Sequence, residues 1–218
     1  MKYTKLSVTV DVAIFTIQDN DLKVLLIKRN LEPFRGFWAL PGGFVRDKEN
    51  LDEAAKRELE EETGVKNVYL EQLYSFGEVG RDPRGKIITI AYMALVNYDR
   101  VNVKATTDAS DAQWFPVSKL PKLAFDHDKI LSYALKRLRW KFEYTAVAFS
   151  LLPRKFAISE IQRIYEIVFN KGFDKRNFAK KILSLNIIRE EGVKRDVSHR
   201  PPMLYSLKKD IGQIIEIL

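Results

Sequence analysis

Residues 43–65 read GFVRDKENLDEAAKRELEEETGV. On a helix from Leu51 to Thr63, at about 100° per residue, Leu51, Ala54 and Ala55 share one face with Glu58 and Glu62. Glu61 lies at the edge of that face, and Glu53, Lys56 and Glu60 lie opposite. A helix face that begins with Leu and Ala and ends in glutamates is unusual. Packed carboxylates repel, and partly buried ones need a counter-charge. A bound Mg²⁺ supplies one. The plainer reading is a charged surface helix braced by i,i+4 pairs such as Glu53–Arg57 and Arg57–Glu61. Placing the glutamates on the apolar face argues against it.

Outward from this helix the chain reads as strands. Val8, Val10, Val12 and Ile14 alternate with Thr9, Asp11 and Ala13, the period of a strand. Asp19-Asn20-Asp21 is a turn, and Leu22–Arg29 is a second, largely buried strand. Phe37–Leu40 is short and apolar, and Pro41-Gly42-Gly43 breaks it. Strand-like runs follow at Val68–Gly77, Lys86–Val96 and Ala112–Val117, then a helix over Asp128–Trp140. Strands mixed with two helices predict an α/β sandwich. After about residue 143 the pattern changes. Ser159-Glu-Ile-Gln162 reads as a capping box opening a helix that Gly172 ends, and Asp174 caps a second helix running to about Leu185. Ile187–Arg189 and Met203–Leu207 are short strands around a basic loop. Helix, turn, helix and hairpin are the order of a winged helix. The domains are therefore expected at 1–142 and 143–218.

Gly43, Glu49, Arg57, Glu58, Glu61, Glu62 and Gly64, with aliphatic Leu59 and Val65, stand in one fixed register. A chance match is on the order of one in 10⁹ starting points, too rare to dismiss. This is a complete Nudix box, and the chain resembles the Nudix hydrolase superfamily. The resemblance implies an α/β/α sandwich with a mixed sheet, so that the whole chain is α+β. It implies Glu58, Glu61 and Glu62 as metal ligands, joined by the Gly43 carbonyl. Glu49 holds Arg57, which orients the glutamates. The family hydrolyses a diphosphate joined to another moiety, with Mg²⁺ or Mn²⁺ lowering the pKa of the attacking water. Glu62 or Glu61 accepts the proton, with Glu78, Asp108 and Asp111 as alternatives outside the box.

Arg29, Arg35, Arg81 and Arg84 are the candidates for neutralising phosphates or stacking on a base. The strings Phe34–Phe44, Phe76–Gly85 and Leu123–Asp128 resemble the Nudix group that handles ADP-ribose, with Pro83 as a loose counterpart of its signature proline. His127 reads as a structural hydrogen-bonding residue.

Composition narrows the chemistry. There are no cysteines and two histidines among 218 residues, so disulfides, thiolate zinc and a cysteine nucleophile are excluded, and a divalent metal must take carboxylates. No stretch reaches the roughly 18 apolar residues of a membrane span, and MKYTKLSVTVDV is not a signal peptide. A soluble, cytoplasmic protein is expected. The net charge of +8 is uneven: residues 1–143 carry 23 basic and 21 acidic side chains, residues 144–218 carry 14 and 8. That excess predicts a polyanion partner for the C-terminal part.

Leu151–Phe156, Ser159–Phe169, Phe173–Phe178 and Arg200–Tyr205 resemble the winged helix of the Nudix-related transcriptional regulators, the NrtR family. The resemblance implies a repressor, typically of NAD-metabolism operons, that senses ADP-ribose-type metabolites. It implies binding to a double-stranded operator as a homodimer. Lys175, Arg176 and Asn177 occupy the first turn of the second helix, the turn that enters the major groove. Lys180 and Lys181 are placed for phosphates. Lys194, Arg195, His199 and Arg200 belong to the wing, while Phe178, Ile182, Leu183 and Leu185 read as core. Family regulators often carry degraded boxes, so an intact one implies real hydrolysis. The alternative is a plain ADP-ribose pyrophosphatase whose C-terminal domain serves dimerisation only.

Overall fold

In a computed structural model, residues 5–100, 109–193, 201–209 and 214–217 are described. The chain divides into two compact units, Met1–Lys136 and Arg137–Leu218.

In the first unit, β1 (Ser7–Gln18) is central. It pairs in parallel with β6 (Ile87–Leu95) and antiparallel with β2 (Asp21–Arg29) and β4 (Gly42–Phe44). β3 (Trp38–Ala39) and β7 (Ala109–Pro116) pair with β2, and β5 (Tyr69–Phe76) closes the other edge on β6. The sheet is mixed, as the resemblance to the Nudix superfamily implied. Val10, Val12 and Ile14 pack against Ala54, Ala55 and Leu59 of α1 (Leu51–Thr63). β1 is buried on both faces, with Val10 and Val12 to Phe15 fully inaccessible, which is what a sheet covered on two sides requires. The β1–β2 hairpin turns at Asp19 and Asn20, both at positive φ (54° and 59°). Two such residues in sequence suit the right-handed strand twist.

The expected break after Phe37–Leu40 falls at Leu40-Pro41, and Gly42 and Gly43 beyond it belong to a strand. Thr9, Val10 and Asp11 pair with Phe44, Gly43 and Gly42. A Cβ on Gly42 would sit 2.9 Å from Asp11 Cα, so glycine here permits a close backbone approach.

α2 (His127–Tyr144) runs past the division between the units. The units divide six residues before the sequence boundary of 142/143. The last turns of α2 belong with the second unit: Phe142 packs on Tyr165 and Phe169, at 5.2 and 6.5 Å between ring centroids. The Tyr165 hydroxyl donates to the Phe142 carbonyl at 2.9 Å. A 3₁₀ turn, Ala146–Leu151, precedes α3 (Ile158–Phe169) and α4 (Lys175–Ser184), then the hairpin β8 (Ile188–Val193) and β9 (Met203–Leu207). Phe156 exchanges backbone hydrogen bonds with Tyr205 at 2.9 and 2.8 Å, adding a third segment to that small sheet.

Three local expectations are corrected. α3 is entered at Ala157, whose N–H donates to the Glu160 carboxylate at 2.6 Å, so Ser159 lies inside the first turn. It ends at Asn170, at φ 49°, two residues before Gly172. Leu183 is 47% exposed, because Phe178 and Ile182 already fill the buried face of α4.

Ile182→Ala should therefore cost about 2–5 kcal/mol, the range for emptying a fully buried aliphatic site. Leu183→Ala should stay within about 0.5 kcal/mol. Urea unfolding of the two variants checks this, and equal losses would contradict the assigned helix face.

Candidate functional site

α1 starts with a complete capping box. Glu53 N–H donates to Asn50 Oδ1 at 3.0 Å, and Asn50 N–H donates to Glu53 at 2.8 Å. Glu53 is thus a cap, not the i,i+4 partner of Arg57. Gly64, at φ 72°, ends the helix in the left-handed conformation that glycine adopts without strain. With Ala54, Ala55 and Leu59 fixed in the core, Glu58 and Glu62 are carried beneath β4. Gly42 N–H donates to Glu62 Oε2 at 2.7 Å. A Cβ on Gly43 would lie 2.7 Å from Glu58 Cδ, so glycine lets this carboxylate rest against the strand without shifting.

Arg57 gathers the carboxylates. Its Nε and Nη2 donate to the two Glu49 oxygens at 2.8 and 2.6 Å. Its Nη1 donates to Glu58 at 2.6 Å and Glu61 at 3.0 Å, and Nη2 also reaches the Phe44 carbonyl at 3.1 Å. The Arg57 hydrogen bonds lower the Glu49 pKa to about 2, and Glu49 in turn raises that of Arg57. Burial pushes the Glu58 carboxyl up, against the pull of Arg57.

Glu58 and Glu62 are 9% and 6% exposed and line a cleft of about 370 Å³ with Gly42, Gly43, Phe44, Arg29 and Arg84. Buried carboxylates are the donors a hard divalent cation takes. Glu61 stands apart, its oxygens accepting from Arg46 Nη2 at 3.3 and 3.1 Å as well as from Arg57. Among the described residues, no three acidic or histidine side chains converge on one point. Arg57 and Arg46 hold part of the counter-charge that the sequence reading gave to metal alone.

The four arginines separate. Arg29 and Arg84 line the cleft. The Arg84 guanidinium lies 4.9 Å from the Phe44 ring and 5.3 Å from that of Phe125, and Arg29 lies 4.8 Å from Phe125. Burial, then the nearby Arg84, lowers the Arg29 pKa. Asp82 grips Arg84 at 2.6 and 3.0 Å; burial opposes its charge, but the Arg84 bonds win and its pKa is lowered. Arg81 lines the smaller chamber next to this cleft: its side chain is 4% exposed and donates twice to Asp126, at 3.0 and 2.7 Å. Arg35 is exposed and lines neither this cleft nor the small chamber next to it. Glu78 pairs with Lys129 and Asp111 with Gln113, neither lining the cleft; Asp108 lies outside the described residues.

Sequence reasoning did not single out Phe44, Asp82, Phe125 or Asp11 as site residues. A visible signal was one acid in the apolar strand VTVDVAIF. His127 holds structure: it is 3% exposed, and its Nδ1 accepts from Leu40 N–H at 2.9 Å. Burial lowers its pKa.

In the second unit, Asp174 Oδ1 accepts from Asn177 N–H at 2.9 Å and caps α4. Lys175, Arg176, Asn177, Lys180 and Lys181 are all exposed. Lys194, Arg195, His199 and Arg200 lie outside the described residues.

A mixed sheet carrying a glutamate helix and its arginine clamp defines a Nudix domain, and comparison with known proteins agrees. The NUDIX domain family matches residues 8–134, and the NrtR DNA-binding winged helix domain matches residues 148–207. The chain belongs to the Nudix family, in the form that carries an NrtR winged helix. It is 38% identical over 201 residues to the ADPR responsive transcriptional repressor NtrR of Acinetobacter baylyi, covering 90% of this chain and 80% of that one. It is 43% identical over 130 residues to an ADP-ribose pyrophosphatase of Methanocaldococcus jannaschii, covering 60% and 74%. The crystal structure of Shewanella oneidensis NrtR complexed with a 27mer DNA matches with a TM-score of 0.82 at 36% identity, over 92% and 93% of the chains. Among the described residues no helix is long and apolar enough to cross a membrane.

Arg57→Lys removes the planar fork that meets three carboxylates, and should cost about 1–3 kcal/mol in urea unfolding. An unchanged midpoint would show that the clamp adds nothing to the fold. His127 must stay neutral to accept from Leu40. Its folded pKa is depressed, so its stability is full above the unfolded pKa of about 6.5 and is lost as pH falls toward the folded one. The Tm advantage of wild type over His127→Gln should shrink as pH falls from about 7.5 to about 5; a constant difference would contradict the neutral, buried assignment.

Proposed function

We propose that the chain is a cytoplasmic, DNA-binding repressor that responds to ADP-ribose or a related nucleoside diphosphate, and that it also hydrolyses the diphosphate bond with Mg²⁺ or Mn²⁺. The observation that carries this reading is one chain holding both an intact glutamate–arginine site and an exposed basic first turn on α4. The cleft supports an anionic, planar ligand: Arg29 and Arg84 offer positive charge beside the Phe44 ring.

Glu58, Glu62 and the Gly43 carbonyl are the residues to hold a divalent cation, with Glu61 as the third carboxylate once Arg46 is displaced. When bound, the cation neutralises the diphosphate and lowers the pKa of a water. Arg57 fixes the glutamates. Glu62, buried beside the cleft, or Glu61 holds the proton removed from the water. Arg29 and Arg84 bind the phosphates, and Phe44 presents a flat face to a base.

Lys175, Arg176 and Asn177 face the major groove, and Lys180, Lys181 and the wing residues Lys194, Arg195 and Arg200 meet the backbone. A palindromic operator implies a homodimer. The plain pyrophosphatase reading leaves the exposed basic face of α4 without a role.

ADP-ribose turnover should vanish in EDTA and return with Mg²⁺. Glu62→Gln should remove most turnover and leave ADP-ribose binding measurable by calorimetry; full activity would overturn its role. Arg176→Ala should weaken operator binding by about 1–3 kcal/mol without changing hydrolysis. Operator binding as tight as wild type would remove Arg176 from the DNA surface.

A further inference from the structure

Asp11 lies on β1, with its Cα opposite that of Gly42 in β4. It is the acidic residue in a strand whose neighbours Val10, Val12 and Ala13 are fully buried. Its side chain is only 9% exposed. A charged group so deep needs partners, yet among the described residues the charged groups that face it are remote. Arg81 Nη2 stands 3.7 Å away, and His127 Nε2 stands 3.5 Å away. Both exceed the roughly 2.7–3.2 Å of a normal N–H···O bond. Arg81 directs its bonds to Asp126, and His127 uses its other nitrogen on Leu40. Asp11 Oδ1 faces the backbone of Gly42, where a Cβ would lie 2.7 Å from it.

Asp11 opens onto a small chamber of about 60 Å³, shared with Thr9, Gly43, Asp82, Arg84 and Phe125. Arg29, Gly42, Gly43, Phe44 and Arg84 line both this chamber and the larger cleft. The space has room for a few waters and suits the hydroxylated edge of a sugar. Its charges are balanced: Arg81 is paired with Asp126 and Arg84 with Asp82, which leaves Arg29 with Asp11, and a phosphate would meet the Asp11 carboxylate. A neutral hydroxyl donates to a carboxylate and carries no charge of its own.

We propose that Asp11 is a specificity residue: its carboxylate accepts hydrogen bonds from hydroxyls of the sugar on the far side of the diphosphate. This rests on the ligand reading above. It assigns the two ends of the ligand: diphosphate and base to the larger cleft, and the terminal polyol to the chamber behind Gly42 and Gly43. Selection then arises from hydroxyl donors and not from charge.

The test is calorimetry on the full chain in EDTA with two probes, ADP-ribose and the β-methyl ester of ADP. The ester keeps the diphosphate charge and lacks terminal hydroxyls. Wild type should prefer ADP-ribose by about tenfold or more, the worth of one hydrogen bond to a buried charge. Asp11→Asn should bring the two probes within about twofold by weakening ADP-ribose alone. Equal affinities in wild type overturn the inference without any variant, as does an Asp11→Asn variant that weakens both probes equally or neither. Wild type that binds the ester but not ADP-ribose also overturns it. Binding of neither probe removes the nucleoside diphosphate reading itself.

Discussion

The site depends on one guanidinium. Arg57 has five N–H donors, and they reach Glu49, Glu58, Glu61 and the Phe44 carbonyl. Three carboxylates in so small a volume would otherwise repel one another, and Glu58 is already disfavoured as an anion by burial. The planar fork resolves this because its donors are fixed in direction, which an ammonium group's are not. It also ties the loop before α1, the helix itself and β4 into one unit. Glu62, bonded to Gly42 N–H, makes a second tie between the same helix and strand.

Around that clamp, charge is sorted by wall. Carboxylates lie on the α1 side of the cleft, and Arg29 and Arg84 stand near the faces of Phe44 and Phe125. Such a cleft attracts a ligand that carries negative charge and a flat ring together. The second unit is held together differently. Its core is a run of stacked and edge-on rings around Tyr165, and its basic side chains on α4 stay in solvent.

Much of this was legible in sequence, for physical reasons. The glutamates stood out because they share a helix face with alanines, and that depends only on the 3.6-residue period. The winged-helix order came from caps and period. Leu183 misled because apolar character alone does not choose a face when Phe178 and Ile182 already fill it. Gly42-Gly43 read as a break because glycine usually marks a turn, whereas here the missing side chains let β4 lie against Glu58 and Asp11. Arg81 looked like a free cation in a turn-rich loop, and its claimant, Asp126, lies 45 residues away. Asp11 needed the fold most: only pairing β1 with β4 puts its carboxylate behind the glycines.

The central claim is that ligand in the first unit changes DNA affinity in the second. It is tested most directly by anisotropy titration of the full chain on an operator from its own promoter, in EDTA, with and without saturating ADP-ribose. The account predicts that the Kd for DNA shifts by about fivefold or more, as a coupling of even 1 kcal/mol requires. A DNA affinity that stays the same while ADP-ribose is demonstrably bound would contradict it.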